Sequence, residues 1–145
     1  MRELVIEYWN KRKNINYLPV SIGIVYLWFG ALKFFSGVSP AEELAKSTIE
    51  RLIFGILPST YSIILLAIWE TLIGILLIAN IYRKAALRMA LVHILFTFSP
   101  FLFFPELLFS QTPFGLTLLG QYIIKNVIIL GVLLVLLKEG QPSKY

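Results

Sequence analysis

Four long apolar stretches dominate the pattern of hydrophobic and polar positions along the chain. They run from about Tyr17 to Phe35, Thr60 to Ile81, Ala85 to Phe104 and Phe114 to Leu137. A helix needs about 20 mostly apolar residues to cross a bilayer, and each stretch is close to that length. The pattern predicts an all-α polytopic membrane protein, a single four-transmembrane-helix bundle that occupies residues 1–145.

A short amphipathic segment separates the first two stretches. Ser39 as the cap, Pro40 at the first helical position and Glu42 closing a capping box predict a helix start. The residues that follow divide with the helical period into an apolar face (Ala41, Ala45, Thr48, Ile49, Leu52, Ile53, Ile56) and a polar face (Glu42, Glu43, Lys46, Ser47, Glu50, Arg51). We expect this helix on the outer surface or across the end of the bundle, as a structural lid or a regulatory element.

The segment between the third and fourth stretches is rich in phenylalanine and proline. Seven of the 11 phenylalanines lie between Phe96 and Phe114, and Pro100, Pro105 and Pro113 should break regular helix there. Irregular backbone at membrane depth must be shielded by protein or lie at the interface. Two interpretations are open: an aromatic belt at the interface, or the wall of an apolar ligand pocket or partner-docking surface.

Composition favours lipid as the solvent for much of the chain. Apolar residues make up 58% and charged residues 14%, whereas a soluble domain has about a quarter charged residues. There is no cysteine and a single histidine, His93, which argues against a metal site and against a covalently bound cofactor. The net charge of +5 is carried beside the apolar stretches, so the membrane surface explains it better than nucleic acid does.

The distribution of lysine and arginine predicts the orientation. Basic residues mark the cytoplasmic side of a membrane protein. One side of the predicted bundle has Lys46 and Arg51, and the other has Arg2, Lys11, Arg12, Lys13, Arg83, Lys84, Arg88, Lys138 and Lys144. We therefore expect a multi-pass protein of the cell membrane with both termini in the cytoplasm.

Four ionisable side chains fall within the apolar stretches: Lys33, Glu70, His93 and Lys125. A charge at the bilayer centre costs about 2.5–3.5 kcal/mol on insertion scales, so such groups usually face the bundle interior. Counting from the ends of the stretches places Glu70 and Lys125 at similar depth, which predicts an ion pair between the second and fourth helices. Lys33 is expected to join this pair from above or to extend to the outer interface.

The predicted pair has two interpretations. It is either a salt bridge that fixes helix register or a polar site that binds a ligand group or handles a proton. His93 is likewise either an interhelical hydrogen-bond donor or an acid–base group of that site.

Helical spacing groups small and polar residues on one face of each helix. Glycines on these faces would allow another helix to approach closely. The predicted packing positions are Gly23, Gly30 and Gly74, and the predicted site consists of Glu70, Lys125, Lys33, His93, Gln121, Asn126, Tyr26 and Trp69.

These motifs give the chain a resemblance to the DoxX-like four-helix membrane proteins. The segment from Tyr26 to Phe34 resembles their W-x-G-x-x-K-F element, and Trp69-Glu70 with Gly74 resembles their glutamate-plus-glycine second span. Arg83 with Ala85-Ala86 resembles the basic, alanine-rich turn into the third. Residues 120–126 resemble the G-Q/R-F-x-x-K-D element of the YkgB/RclC-like branch, with Asn126 where an aspartate is common.

The resemblance covers about Tyr17 to Leu137 and implies a four-helix bundle. Relatives of this kind include small subunits of quinone-linked oxidoreductase systems, proteins of oxidant-stress operons and, at a distance, the assembly chaperone NACHO. Function carried over from them is an expectation by analogy.

Two functions are expected from the residues and the resemblance. In the first, the polar site holds the head of a small apolar ligand such as a quinone, and a cofactor-bearing protein partner supplies the electrons, so the chain is an accessory subunit and not a stand-alone enzyme. In the second, the chain is a non-catalytic membrane assembly factor or chaperone. A proton-coupled transporter is a third possibility, and four spans would then require a homo-oligomer.

Overall fold

The computed structural model describes residues 17–110 and 114–139. Its helices are α1 (Tyr17–Leu32), α2 (Glu42–Leu52), α3 (Ser59–Ala79), α4 (Arg83–Thr97), α5 (Pro100–Phe103), α6 (Pro105–Leu108), α7 (Leu118–Ile124) and α8 (Asn126–Glu139). In these two ranges the β-type pairing is confined to an isolated antiparallel bridge between Phe109 and Leu116. The predicted all-α class is confirmed for the described residues.

Among the described residues, three helical segments are long and apolar enough to cross a membrane: Ser59–Ala79, Arg83–Phe103 and Leu118–Glu139. The first is α3, the second joins α4 to α5, and the third joins α7 to α8. Helix α1 is also apolar but has 16 described residues. At 1.5 Å per residue it spans about 24 Å, less than the ~30 Å of a hydrocarbon core. The structure thus has three candidate spans beside a fourth, shorter apolar helix.

Two prolines set the shape of the phenylalanine-rich segment. Pro100 and Pro105 are the first residues of α5 and α6, where the missing N–H breaks no helical hydrogen bond. Pro113 lies outside the described residues. The predicted third stretch is therefore a helix that ends at Thr97 and resumes after a turn.

Helices α1 and α3 form the most extensive helix–helix contact of the described residues, and glycines make their close approach possible. A methyl group on Gly74 would lie 2.5 Å from the Leu27 nitrogen and 2.8 Å from the Gly23 oxygen. One on Gly30 would lie 2.7 Å from the Thr71 nitrogen. Because these neighbours are backbone atoms, a side chain at either position would force the two helices apart.

The core has two parts, and much apolar surface remains outside it. The larger cluster joins α1, α3, α4 and α8 through buried residues that include Ile73, Ala90 and Leu133. The smaller cluster joins Leu44, Leu108 and Ile123 of α2, α6 and α7. The following side chains are at least half exposed: Ile24, Trp28, Leu65, Ile68, Ile75, Leu95, Ile128, Leu134 and Val135. Such a surface is the one expected where lipid is the solvent.

The predicted start of α2 is wrong in detail. The helix begins at Glu42, and Ala41 occupies the cap position without a side-chain hydrogen bond. Ser39 and the residues around it form turns, so no capping box closes. The Glu42 carboxylate instead accepts a hydrogen bond of 2.7 Å from the N–H of Gly37, which turns back at a φ of +77°. Glu42 was expected on the polar outer face, but this contact leaves it buried.

Replacing Gly74 by alanine should destabilise the protein by about 1–3 kcal/mol, because the added methyl group collides with the α1 backbone. The free energy of unfolding in detergent micelles measures this. Gly131→Ala in α8 is the matched control, since a methyl group there meets no atom within 4 Å. Equal stability of the two variants would contradict the described packing of α1 on α3.

Candidate functional site

A buried carboxylate organises the interior of the bundle. Glu70, midway along α3, is 5% exposed. Its Oε2 lies 2.6 Å from Nζ of Lys33, and its Oε1 lies 3.0 Å from Nε2 of His93. The carboxylate thus joins α3 to the end of α1 and to α4. Both of its oxygens have a nitrogen partner, as a buried charge requires.

Lys33 connects this cluster to the end of α1. The last four carbonyls of a helix lack partners within it. Lys33 Nζ donates to the Phe29 oxygen at 3.3 Å, while the backbone N–H groups of residues 33–35 donate to the oxygens of residues 30–32. All four carbonyls are therefore satisfied, and the ammonium lies at the negative end of the helix dipole. The same side chain terminates α1 and neutralises Glu70.

Tyr26 extends the cluster on the other side of His93. Its hydroxyl lies 3.0 Å from Nδ1 of His93 and 3.1 Å from the backbone oxygen of Ala90. The two rings meet edge to face, with centroids 5.3 Å apart. A hydrogen-bonded chain therefore runs from the Ala90 carbonyl through Tyr26, His93 and Glu70 to Lys33.

One hydroxyl proton cannot serve two acceptors, so the state of His93 fixes the arrangement. With His93 neutral and its proton on Nε2, His93 donates to Glu70 and Tyr26 donates to Nδ1. With His93 doubly protonated, Nδ1 donates to Tyr26, and the Tyr26 hydroxyl turns its proton to Ala90. The chain of groups can thus take up a proton without moving any heavy atom.

The cluster forms part of the wall of an apolar cavity of about 170 Å³. Residues from α1 to α5 and from α7 and α8 line this cavity. Among them are Phe29, Leu44, Leu66, Ile94, Phe96, Pro100 and Ile129. Val25 and Phe96 line the cavity and are also 40% and 55% exposed. The cavity therefore reaches the apolar outer surface beside α1 and α4.

Helix α2 covers one side of the cavity. Its residues Leu44, Ala45, Thr48, Ile49 and Leu52 line the cavity, as does Ala41 at its cap position. The expected lid is thus also part of the pocket wall, as are Phe96 and Pro100 of the phenylalanine-rich segment.

Glu42 anchors the start of this helix. It pairs with Nζ of Lys46 at 2.7 Å, one turn further along, in addition to the Gly37 N–H. The hydrogen bond from Lys46 and that from Gly37 lower the pKa of Glu42 below its usual value, and the Glu42 partner raises the pKa of Lys46. At neutral pH, where Glu42 and Lys46 are both charged, these interactions stabilise α2 in its place over the cavity.

Tyr122 and Thr97 are polar residues of the cavity wall that were not among the predicted site residues. Tyr122 lines it and packs edge to face on Phe29 at 5.7 Å. Thr97 lines it too, accepts a 3.2 Å hydrogen bond from Nδ2 of Asn126, and donates to the Ile94 oxygen at 2.7 Å. Tyr122 is one helical turn before Asn126, and this spacing is the sequence signal that could have identified it.

The predicted ion pair between Glu70 and Lys125 is wrong. Lys125 is exposed, and both Glu70 oxygens face Lys33 and His93 instead. Gln121, one turn before Lys125, is also exposed and donates to the Leu116 oxygen. The inward face of this span is the one that carries Tyr122 and Asn126, about 100° around the helix from Lys125.

Trp69 is 40% exposed and is not part of the cavity lining. Adjacent helical residues point about 100° apart, so Trp69 does not share the direction of Glu70. It lies with the exposed Ile68 on the outer side of α3. The structure thus brings together Tyr26, Lys33, Glu70, His93 and Asn126 of the predicted residues, and leaves Trp69, Gln121 and Lys125 outside.

In residues 17–110 and 114–139, no three histidine or carboxylate side chains converge on a point that could hold a metal ion. The cluster is a hydrogen-bonded chain that includes the ion pair between Lys33 and Glu70. Comparison of the chain with protein-family models, with curated proteins and with solved structures finds no significant match.

Lys33→Met should destabilise the protein by roughly 3 kcal/mol, because it leaves the Glu70 charge buried without its cation. Adding Glu70→Leu should recover part of that loss, since the second change removes the uncompensated charge. Unfolding free energies of the two single variants and the double variant measure the coupling. Lys125→Met is the control for the same substitution at an exposed lysine, and additive losses from the two single variants would contradict a direct ion pair.

Acid should release α2 from the cavity. A group whose pKa is lowered in the folded state stabilises that state when the pH is above the group's pKa in the unfolded state. The stabilisation is lost as the pH falls through the pKa of the folded state. For Glu42 the loss of stabilisation therefore begins near pH 4.5, the ordinary pKa of the group, and is complete at a pH below the lowered pKa. Hydrogen exchange of the α2 amides, corrected for intrinsic rates, should accelerate over this window.

Glu42→Gln should give fast exchange of α2 already at neutral pH. Glu43→Gln is the control, because the Glu43 side chain is 86% exposed and contacts only the same Lys46. If α2 in the Glu42→Gln variant stayed as protected as in the parent protein, Glu42 would not be its anchor.

Proposed function

We propose that the chain is a four-helix protein of the cell membrane that binds a small apolar molecule with an oxygen-bearing head, such as a quinone, in the cavity between its helices. The observation that carries the proposal is the composition of the cavity wall. An apolar chamber has on one side a hydrogen-bonded cluster of Tyr26, Lys33, Glu70 and His93. Ligand sites are typically apolar pockets with a few convergent polar groups.

The size and the position of the cavity support an apolar ligand. A cavity of about 170 Å³ accommodates a single ring, since apolar protein cavities of about 150 Å³ bind benzene. The exposed edges of Val25 and Phe96 would allow a second fused ring or a longer apolar tail to extend beside α1 and α4. A ligand dissolved in lipid could then enter from the side of the bundle without passing through water.

The polar groups support an oxygen-bearing head. The Lys33 ammonium has three N–H bonds and uses two of them, on Glu70 and Phe29, so the third could donate to a carbonyl oxygen. The Tyr122 hydroxyl, which has no hydrogen bond to another described residue, could donate to a second oxygen. A quinone supplies two-electron, two-proton redox chemistry when bound, and His93 with Tyr26 could hold one proton close to its head.

The proposed topology and system follow from the sequence and the resemblance. Arg83 and Lys84 lie at the end of the bundle opposite Lys46 and Arg51, which supports cytoplasmic termini. The resemblance to DoxX-like proteins gives the expectation of an accessory subunit in a membrane redox or oxidant-stress system. A non-catalytic assembly role is the second candidate, and the exposed Lys125 favours it.

Native mass spectrometry of gently extracted protein with added menadione tests the ligand proposal. We expect one bound naphthoquinone per chain. Glu70→Gln should reduce the bound fraction by about tenfold or more, because the Lys33 ammonium loses its counter-charge and shifts its position. Ala45→Phe, which fills the cavity from α2 and leaves the cluster intact, should do the same.

Glu106→Gln is the matched control, because Glu106 is exposed on α6 outside the cavity. Unchanged menadione binding in both the Glu70→Gln and the Ala45→Phe variants would remove this cavity as the site. Binding lost in the control as well would mean that the loss has no relation to the cluster.

A further inference from the structure

Lys125 is a cation at membrane depth that faces away from the bundle. It lies at the break between α7 and α8, where the helical hydrogen bonds shift to a tighter turn. Tyr122, nearly one turn before it, and Asn126, directly after it, line the same cavity as Glu70. Lys125 therefore lies beside the cavity wall, but its side chain is exposed and points about 60–100° away from these two residues around the helix.

Of the three candidate spans, the one that contains Lys125 is the least covered by other described residues. Only 17% of the most apolar stretch of Leu118–Glu139 is buried, against 39% for Ser59–Ala79 and 28% for Arg83–Phe103. Gln121 is exposed one turn before Lys125, and Ile128 is 72% exposed in the turn after it. Among the described residues no ion pair includes Lys125. We call the surface formed by Gln121, Lys125 and Ile128 the Lys125 face.

A lone ammonium facing hydrocarbon is unfavourable, and a carboxylate at the same depth would neutralise it. A second copy of this chain offers no such group. All 8 acidic residues are glutamates, and those in the candidate spans are Glu70, already paired inside, and Glu139 at the end of α8. The complementary charge must therefore come from a different molecule.

We propose that the Lys125 face docks a transmembrane helix of another protein, one that has an aspartate or glutamate at mid-membrane depth. Lys125 supplies the charge and Ile128 an apolar contact. The side-chain nitrogen of Gln121 donates to the Leu116 oxygen, so its side-chain oxygen can accept a hydrogen bond from a polar group of that helix. The inference rests on the proposed membrane position of α7 and α8 and does not require a ligand in the cavity.

A photo-reactive phenylalanine analogue at position 128 tests the proposal in native membranes. We expect a cross-link to a helix with an intramembrane carboxylate, and a roughly tenfold lower yield in Lys125→Met. Lys138→Met is the control, because Lys138 is exposed near the end of the same helix. Lys125→Glu should abolish the cross-link, and a lysine in place of the partner's carboxylate should restore it.

Three outcomes would overturn the proposal. The first is a cross-link to a second copy of the chain. The second is adducts with lipid alone, which would mean that Lys125 extends to the headgroups. The third is a protein cross-link that is lost in Lys125→Glu and is not restored when the partner's carboxylate is replaced by lysine. Menadione binding by the Lys125→Met variant separates the two proposals. It should equal that of the parent protein whichever result the cross-link gives.

Discussion

The structure depends on one constraint: a carboxylate that lies midway along an apolar helix must have its partners inside the bundle. Glu70 meets this constraint with Lys33 on one oxygen and His93 on the other. Satisfying it fixes the rotation of α3, the end of α1 and the inner face of α4 together. The close approach of α1 and α3 at Gly74 brings the lysine within reach. The cavity is the space that these three helices and the cover of α2 leave beside the pair.

Much of the fold could be predicted, because the length and hydropathy of the apolar stretches determine where helices form. The pattern located α3, α4 and α7 to α8 to within a few residues, and the amphipathic segment located α2. The face shared by Gly23, Tyr26, Gly30 and Lys33 could be identified as well, since small and polar residues at helical spacing are informative within an apolar sequence.

The partner of Glu70 could not be predicted, because the two sides of a membrane helix look alike. Around Lys125 the polar residues fall on two faces of the helix, Gln121 with Lys125 and Tyr122 with Asn126, so periodicity does not show which face is the core. Depth alone then favoured Lys125, whereas the contact depends on rotation. Lys33 lies beyond the last helical residue of α1, and only the tightened turn there directs its ammonium to Glu70. The burial of Glu42 was missed for a related reason: its partner, the N–H of Gly37, is a backbone group.

Because Lys33 both ends α1 and pairs with Glu70, the chamber and the outer loop are mechanically linked. Whatever draws the ammonium away from the Phe29 carbonyl loosens the final turn of that helix. The next few residues lead directly to Gly37, whose amide holds the start of α2. A small displacement of the Lys33 ammonium inside the bundle can thus be transmitted, through a few residues of chain, to the helix that covers the chamber. The molecule needs no separate hinge to connect its interior with its surface.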